Sequence, residues 1–95
     1  YEILHKNYWT RHGEIDLVVW DPKEDYLLFV EVKAYQTDNI DPRTVIRADK
    51  QRHLWRTAQR FLLQFPKYQD TNCRFDLIIV KDSAVNEHMK HVLTG

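Results

Sequence analysis

The sequence predicts an α/β domain built on a mixed sheet, and three patterns carry that prediction. Residues 14–20 and 26–33 are short apolar runs separated by the turn cluster Asp21-Pro22-Lys23-Glu24-Asp25. Residues 44–65 put Gln51, Leu54, Trp55, Ala58, Leu62 and Phe65 on one helical stripe. Residues 74–80, Arg-Phe-Asp-Leu-Ile-Ile-Val, form an almost unbroken apolar run of the kind a buried strand needs.

Each element follows in order. Residues 2–9 alternate well enough for a strand, expected at an edge, and Arg11-His12-Gly13 reads as a turn. The strands at 14–20 and 26–33 form a hairpin. Residues 36–43 are polar and contain Asp41-Pro42, which reads as a loop and helix start. Pro66 stops the helix. The strand at 26–33, the helix and the strand at 74–80 make a crossover unit. Such units are right-handed with parallel strands, so a mixed sheet results. The pattern from Ser83 onward fits neither template clearly.

Composition narrows the function classes. Ninety-five residues, 43% of them hydrophobic, suffice for a single domain over 1–95. Only 2 Gly and 3 Pro argue against disorder or a fibrous repeat. No apolar run approaches the ~18 residues of a membrane span. The lone Cys73 excludes an internal disulfide and fits a reducing cytoplasm. The first residue is Tyr1 rather than Met, so a truncated amino end is expected. Net charge is zero, yet it is segregated. Residues 14–31 hold six acids and one base, and residues 43–60 hold six bases and one acid.

The hairpin register locates the chemistry. Pairing Leu17 with Val30 and Val19 with Leu28 also pairs Ile15 with Val32, and makes one face wholly aliphatic. On the other face Val18 opposes Phe29, Asp16 opposes Glu31, and Glu14 opposes Lys33. Directly opposed like charges destabilise a hairpin, and burial worsens it. A positive group between Asp16 and Glu31 is therefore expected. Hard oxygen donors suit Mg²⁺ or Mn²⁺. Lys33 projects on the same face as Glu31, about 6.6–6.8 Å along the strand. A divalent ion that activates water, beside an ammonium that steadies developing charge, suits phosphoryl transfer. The alternative is plainer: Glu14 pairs with Lys33 at the strand end and Asp16 faces solvent.

Further residues support either reading. Gln51 is a polar side chain in an apolar stripe and needs a partner. Arg47 lies one turn earlier, and Arg52, Arg56 and Arg60 follow at helical spacing along a flank. Such a flank can line a phosphate backbone or simply be solvated. The five histidines show no metal-binding spacing, and two glycines cannot build a phosphate loop. Trp9, Trp20 and Trp55 are assigned to core or strand-edge packing.

Gly13-Glu14-Ile15-Asp16-Leu17 followed by Phe29-Val30-Glu31-Val32-Lys33 resembles the YraN family of small bacterial proteins. That family belongs to the PD-(D/E)XK restriction-endonuclease-like superfamily and is similar to archaeal Holliday-junction resolvases. Tyr1 to Asn7, the helix pattern around Lys50-Gln51 and Arg74-Phe75-Asp76 extend the resemblance over most of the chain. It implies a restriction-endonuclease-like mixed sheet with a long flanking helix. It implies that Asp16, Glu31 and the Val32 carbonyl hold Mg²⁺ (or Mn²⁺), that Lys33 is catalytic and that Gln51 reaches the site. Glu14 is a signature residue of the family. The implied activity is hydrolysis of DNA phosphodiester bonds, with branched or damaged DNA as candidate substrates. Arg47, Lys50, Arg52 and Arg56 are the expected phosphate contacts. Three departures stand out. The superfamily's Pro-Asp is Ile15-Asp16 here, as is usual in this family. The family opens with a helix that nothing before Tyr1 supplies, which makes a homodimer or a covering segment an expected partner. Ala34-Tyr35 stands where the family often has Thr-Arg. The rival expectation is a catalytically silent nucleic-acid-binding or protein-interaction module with the same fold.

Overall fold

A computed structural model describes residues 1–34, 48–82 and 84–92. Among the described residues five strands form one sheet in sequence order: β1 (Glu2–Thr10), β2 (Gly13–Asp21), β3 (Tyr26–Ala34), β4 (Asn72–Lys81) and β5 (Ala84–Met89). The pairs β1–β2, β2–β3 and β4–β5 are antiparallel, and β3–β4 is parallel. The helix α1 (Ala48–Gln64) connects the two parallel strands. The mixed α/β fold predicted from sequence is therefore the observed one. The tail that fitted neither template is β5, the edge strand beside β4. The predicted loop 36–43 and the helix start before Ala48 lie outside the described residues.

Chain chemistry explains the element ends. Arg11 and His12 make a two-residue turn, fixed by the His12 N–H donating to Thr10 Oγ1 at 3.0 Å. Gly13 follows with φ +145°, a conformation that side chains with a Cβ rarely adopt. α1 ends at Gln64 because Pro66 cannot continue it. A short 3₁₀ turn, Pro66–Tyr68, takes over.

The helix-side core joins Val18, Leu27, Phe29 and Phe75 of the sheet to Leu54, Ala58 and Phe61 of α1. Trp55, Leu62 and Phe65 pack against it, as the apolar stripe predicts. Phe61 lies edge-on to Tyr8 at 5.2 Å between centroids. Burying a side chain of this size stabilises by about 1.5–3 kcal/mol. The opposite face is aliphatic, with Val19, Leu28 and Val30 buried and Leu17, Val32 and Ile78 beside them.

Ile15 departs from the sequence expectation. It packs in the helix-side core with Tyr8 and Val18, not on the aliphatic face with Leu17. The cause is a break in strand alternation. Asn7 adopts a left-handed backbone, φ 53°, between the pairs Lys6–Leu17 and Tyr8–Ile15. Asparagine tolerates that conformation better than most residues. His5 and Tyr8, three apart, then share a face, with ring centroids 5.3 Å apart. Ile15 and Val18 do the same on the partner strand.

A second departure is polar. Arg74 and Asp76 are buried on β4. Arg74 Nε donates to both carboxylate oxygens of Asp76, at 3.0 and 3.2 Å. Arg74 Nη1 reaches Glu24 Oε2 in the β2–β3 turn at 3.3 Å. His88 Nε2 of β5 lies 2.7 Å from Asp76 Oδ2, and the His91 N–H donates to Oδ1 at 3.3 Å. One buried carboxylate thus ties the tail to the sheet.

Candidate functional site

The β2–β3 register matches the sequence expectation from Asp21–Tyr26 to Leu17–Val30. Among the described residues the ladder ends there. The predicted backbone pairs Ile15–Val32, Asp16–Glu31 and Glu14–Lys33 are not made. At the alternation break, Asp16 turns its side chain into the ladder instead. Its Oδ2 accepts the Val32 N–H at 2.8 Å. A side-chain oxygen thus replaces a backbone carbonyl, and the two strands part at this position.

Glu31 sits one residue beyond the buried run Leu27–Val30 on the central strand, opposite Leu77 of β4. It is itself 7% exposed. Its Oε1 receives two ammonium groups, Lys33 Nζ at 3.3 Å and Lys50 Nζ at 3.0 Å. The Glu31–Lys33 contact follows directly from the two-residue strand period. Lys33 is held above the ordinary lysine range, in the cluster where it and Lys50 share Glu31 Oε1. The carboxylates of Glu31 and then Asp16 favour its charged form, against the effect of partial burial. Both acids therefore act on one ammonium.

The remaining candidates divide. Glu14 lines a shallow pocket of about 320 Å³ with His12, Lys50 and His53. Asp16 lines a different one with Lys6, Asn7 and Val32. Lys50, expected among the phosphate contacts, turns inward to Glu31. Its long stem lets it reach a buried acid while its side chain stays 35% exposed. Gln51 is half-buried on the next position of α1, whereas Arg52 and Arg56 are exposed. Arg47 lies outside the described residues. Trp9, expected to pack, is 70% exposed.

A hard divalent ion calls for oxygen donors. Among the described residues no three of His, Cys, Asp and Glu gather into a cage. Magnesium does not need one, because one or two carboxylates with water and substrate oxygens suffice. A buried glutamate that draws two cations to one oxygen, with an aspartate of the neighbouring strand bonded to the following residue's N–H, fits that requirement.

Sequence reasoning missed the Lys50 contact and the Arg74–Asp76–His88 network. A signal for the second was present: Arg74 and Asp76 alternate on one face of a strand that is otherwise apolar. No comparable signal marked Lys50, since a lysine on a helix is usually solvated.

The mixed sheet, its crossover helix and the carboxylate–lysine pair on the central strand define a restriction-endonuclease-like α/β core. The chain belongs to the uncharacterised protein family UPF0102, the YraN family, whose sequence model matches residues 1–80. This family is a PD-(D/E)XK nuclease-like group. A UPF0102 protein of Acinetobacter baumannii strain AYE is 44% identical over 79 residues, covering 82% of this chain and 58% of that protein. A UPF0102 protein of Synechocystis is 40% identical over 81 residues, covering 83% and 54%. One from Treponema denticola is 35% identical over 99 residues, covering 98% and 76%. The chain thus spans little more than half the length of the first two relatives. No helix among the described residues is long and apolar enough to cross a membrane.

Proposed function

We propose that the chain carries the catalytic core of a Mg²⁺- or Mn²⁺-dependent endonuclease that hydrolyses DNA phosphodiester bonds, with branched or damaged DNA as the substrate class. One observation carries the reading: a buried Glu31 is held against Lys33, and the next residue, Val32, donates its N–H to the Asp16 carboxylate of the neighbouring strand. Asp16, Glu31 and the Val32 carbonyl are the groups that would hold the ion. When bound, such an ion supplies Lewis-acid stabilisation of phosphoryl oxygens and activates water.

The chain's own residues do the rest. Lys33, with its raised pKa, stays an ammonium at neutral pH and stabilises charge developing on the phosphoryl oxygens. Lys50 neutralises the Glu31 carboxylate until an ion takes its place, and Gln51, next on α1, orients groups at the site. Arg47, Arg52 and Arg56 attract the phosphate backbone. The reading carries with it a cytoplasmic setting, DNA as partner and a homodimer.

Cleavage of linear, flapped and four-way-junction DNA in Mg²⁺ tests this proposal. Glu31→Ala and Lys33→Ala are expected to lose roughly a hundredfold or more in rate while still binding DNA. A wild-type chain that cleaves none of these substrates, or variants that cleave as well as it does, would refute the proposal.

A specific contact favours a second reading. Two ammonium groups already neutralise Glu31, so the site can be stable without an ion. The chain would then be a catalytically silent nucleic-acid-binding or protein-interaction module. A Mg²⁺ titration of Tm separates the two, because ligand binding to the folded state alone raises Tm.

A further inference from the structure

Basic and aromatic groups meet on a surface away from the Glu31–Lys33 pair. A groove of about 550 Å³ runs between the end of β1 and the second half of α1. Trp9, Arg11, Arg60 and Leu63 form its walls. Trp9 is 70% and Leu63 64% exposed. The floor is built, since the Tyr8 hydroxyl donates to Gln64 Oε1 at 2.8 Å and pins α1 to β1. The described residues lining the groove include no acid.

Positive charge extends from this groove toward the candidate site. Desolvation, and then Arg11, Arg56, Arg60 and His53, hold His12 below the ordinary histidine range. His12 and His53 in turn line the pocket that contains Glu14 and Lys50. On α1, Lys50, His53, Arg56 and Arg60 follow at three- and four-residue spacing. Their span is about 15 Å along the helix axis, roughly four nucleotide steps of a B-form strand.

We propose that this groove is a second nucleic-acid subsite, in which the Trp9 indole stacks on an unpaired base while Arg11, Arg56 and Arg60 hold the flanking phosphates. An exposed indole beside guanidinium groups is the combination that single strands recognise, by stacking and by phosphate contact. A duplex offers no free base face to such a side chain. The subsite therefore selects an unpaired arm, and the basic track leads that arm to Lys50. The substrate class rests on the DNA reading above, but binding at the groove needs no cleavage.

Binding of a labelled short oligothymidylate in EDTA, followed by anisotropy and by tryptophan emission, tests the proposal. Quenching of the wild-type emission is expected. Trp9→Ala should weaken binding roughly ten- to a hundredfold, and Trp9→Phe should restore most of it. Arg11→Gln and Arg60→Gln should each reduce the slope of log K against log salt by about 0.7. Equal binding by Trp9→Ala, or binding of duplex alone, overturns the inference. Self-association abolished by Trp9→Ala, with no response to oligothymidylate, assigns the groove to a protein contact and also overturns it. Absence of cleavage with these binding effects intact refutes only the nuclease reading. Cleavage without them refutes only the subsite.

Discussion

Lys50→Met is the variant that most directly asks whether Glu31 exchanges an ammonium for a metal ion. The Lys50 ammonium lies 3.0 Å from Glu31 Oε1, where a divalent ion would need to bind. Exposed ion pairs contribute about 0.2–1 kcal/mol, and breaking a fully buried pair costs about 3–5 kcal/mol. This pair lies between the two, with side chains 35% and 8% exposed. A contribution of about 1–2 kcal/mol follows, or about five- to thirtyfold in an equilibrium constant. Without divalent ions, Lys50→Met should melt below the wild type, because Glu31 has lost a partner. With Mg²⁺, it should bind the ion about five- to thirtyfold more tightly. In a chain of this size each kcal/mol gained is about 4–8 °C in Tm. The rise in Tm with Mg²⁺ should therefore be steeper for the variant, and differential scanning calorimetry across a Mg²⁺ series reads it. Two flat profiles, or a variant less responsive than the wild type, would refute the exchange.

Two other outcomes follow from groups outside the site. Asp76→Ala leaves the buried Arg74 guanidinium without its bidentate partner. It should cost about 3–5 kcal/mol in urea unfolding, and a loss below about 1 kcal/mol would contradict the burial argument. Alkaline pH should destabilise the fold through three groups. Burial raises the Cys73 thiol; burial also raises the Tyr8 phenol, against an opposing effect of Arg60; and Lys33 is raised in the cluster it forms with Lys50 on Glu31, by the carboxylates of Glu31 and Asp16. Each keeps its proton to higher pH when folded. Their contribution is complete below the unfolded values, about 8.5 for Cys, 10 for Tyr and 10.4 for Lys, and is lost as pH rises through the folded values. Urea midpoints should hold steady up to about pH 8 and then fall, and a midpoint that climbs in that range would reverse the sign.

Much of this arrangement was legible in the residues. The β2–β3 register from Leu17 to Asp21 follows from side-chain alternation alone, and so does the shared face of Glu31 and Lys33. The stripe from Leu54 to Phe65 gives the packed face of α1. The hidden parts share a cause. Strand reasoning assumes an unbroken period of two, and the alternation breaks where Asn7 takes its left-handed backbone, with Ile15 on the helix side and Asp16 bonded into the ladder. Long side chains are equally opaque: nothing local tells whether Lys50 will extend into water or fold back on an acid. Trp9 escaped for the opposite reason, since a large aromatic on a strand ordinarily finds cover.

Asp16 is a rung of the sheet made from a side chain. The width of the opening is set by the reach of one carboxylate, so a longer acid would spread the seam and a methyl group would let it close or fray. Shape and negative charge at this gap are written in a single residue, and neither can be altered while the other is kept intact unless the replacement has both the same length and the same acceptor.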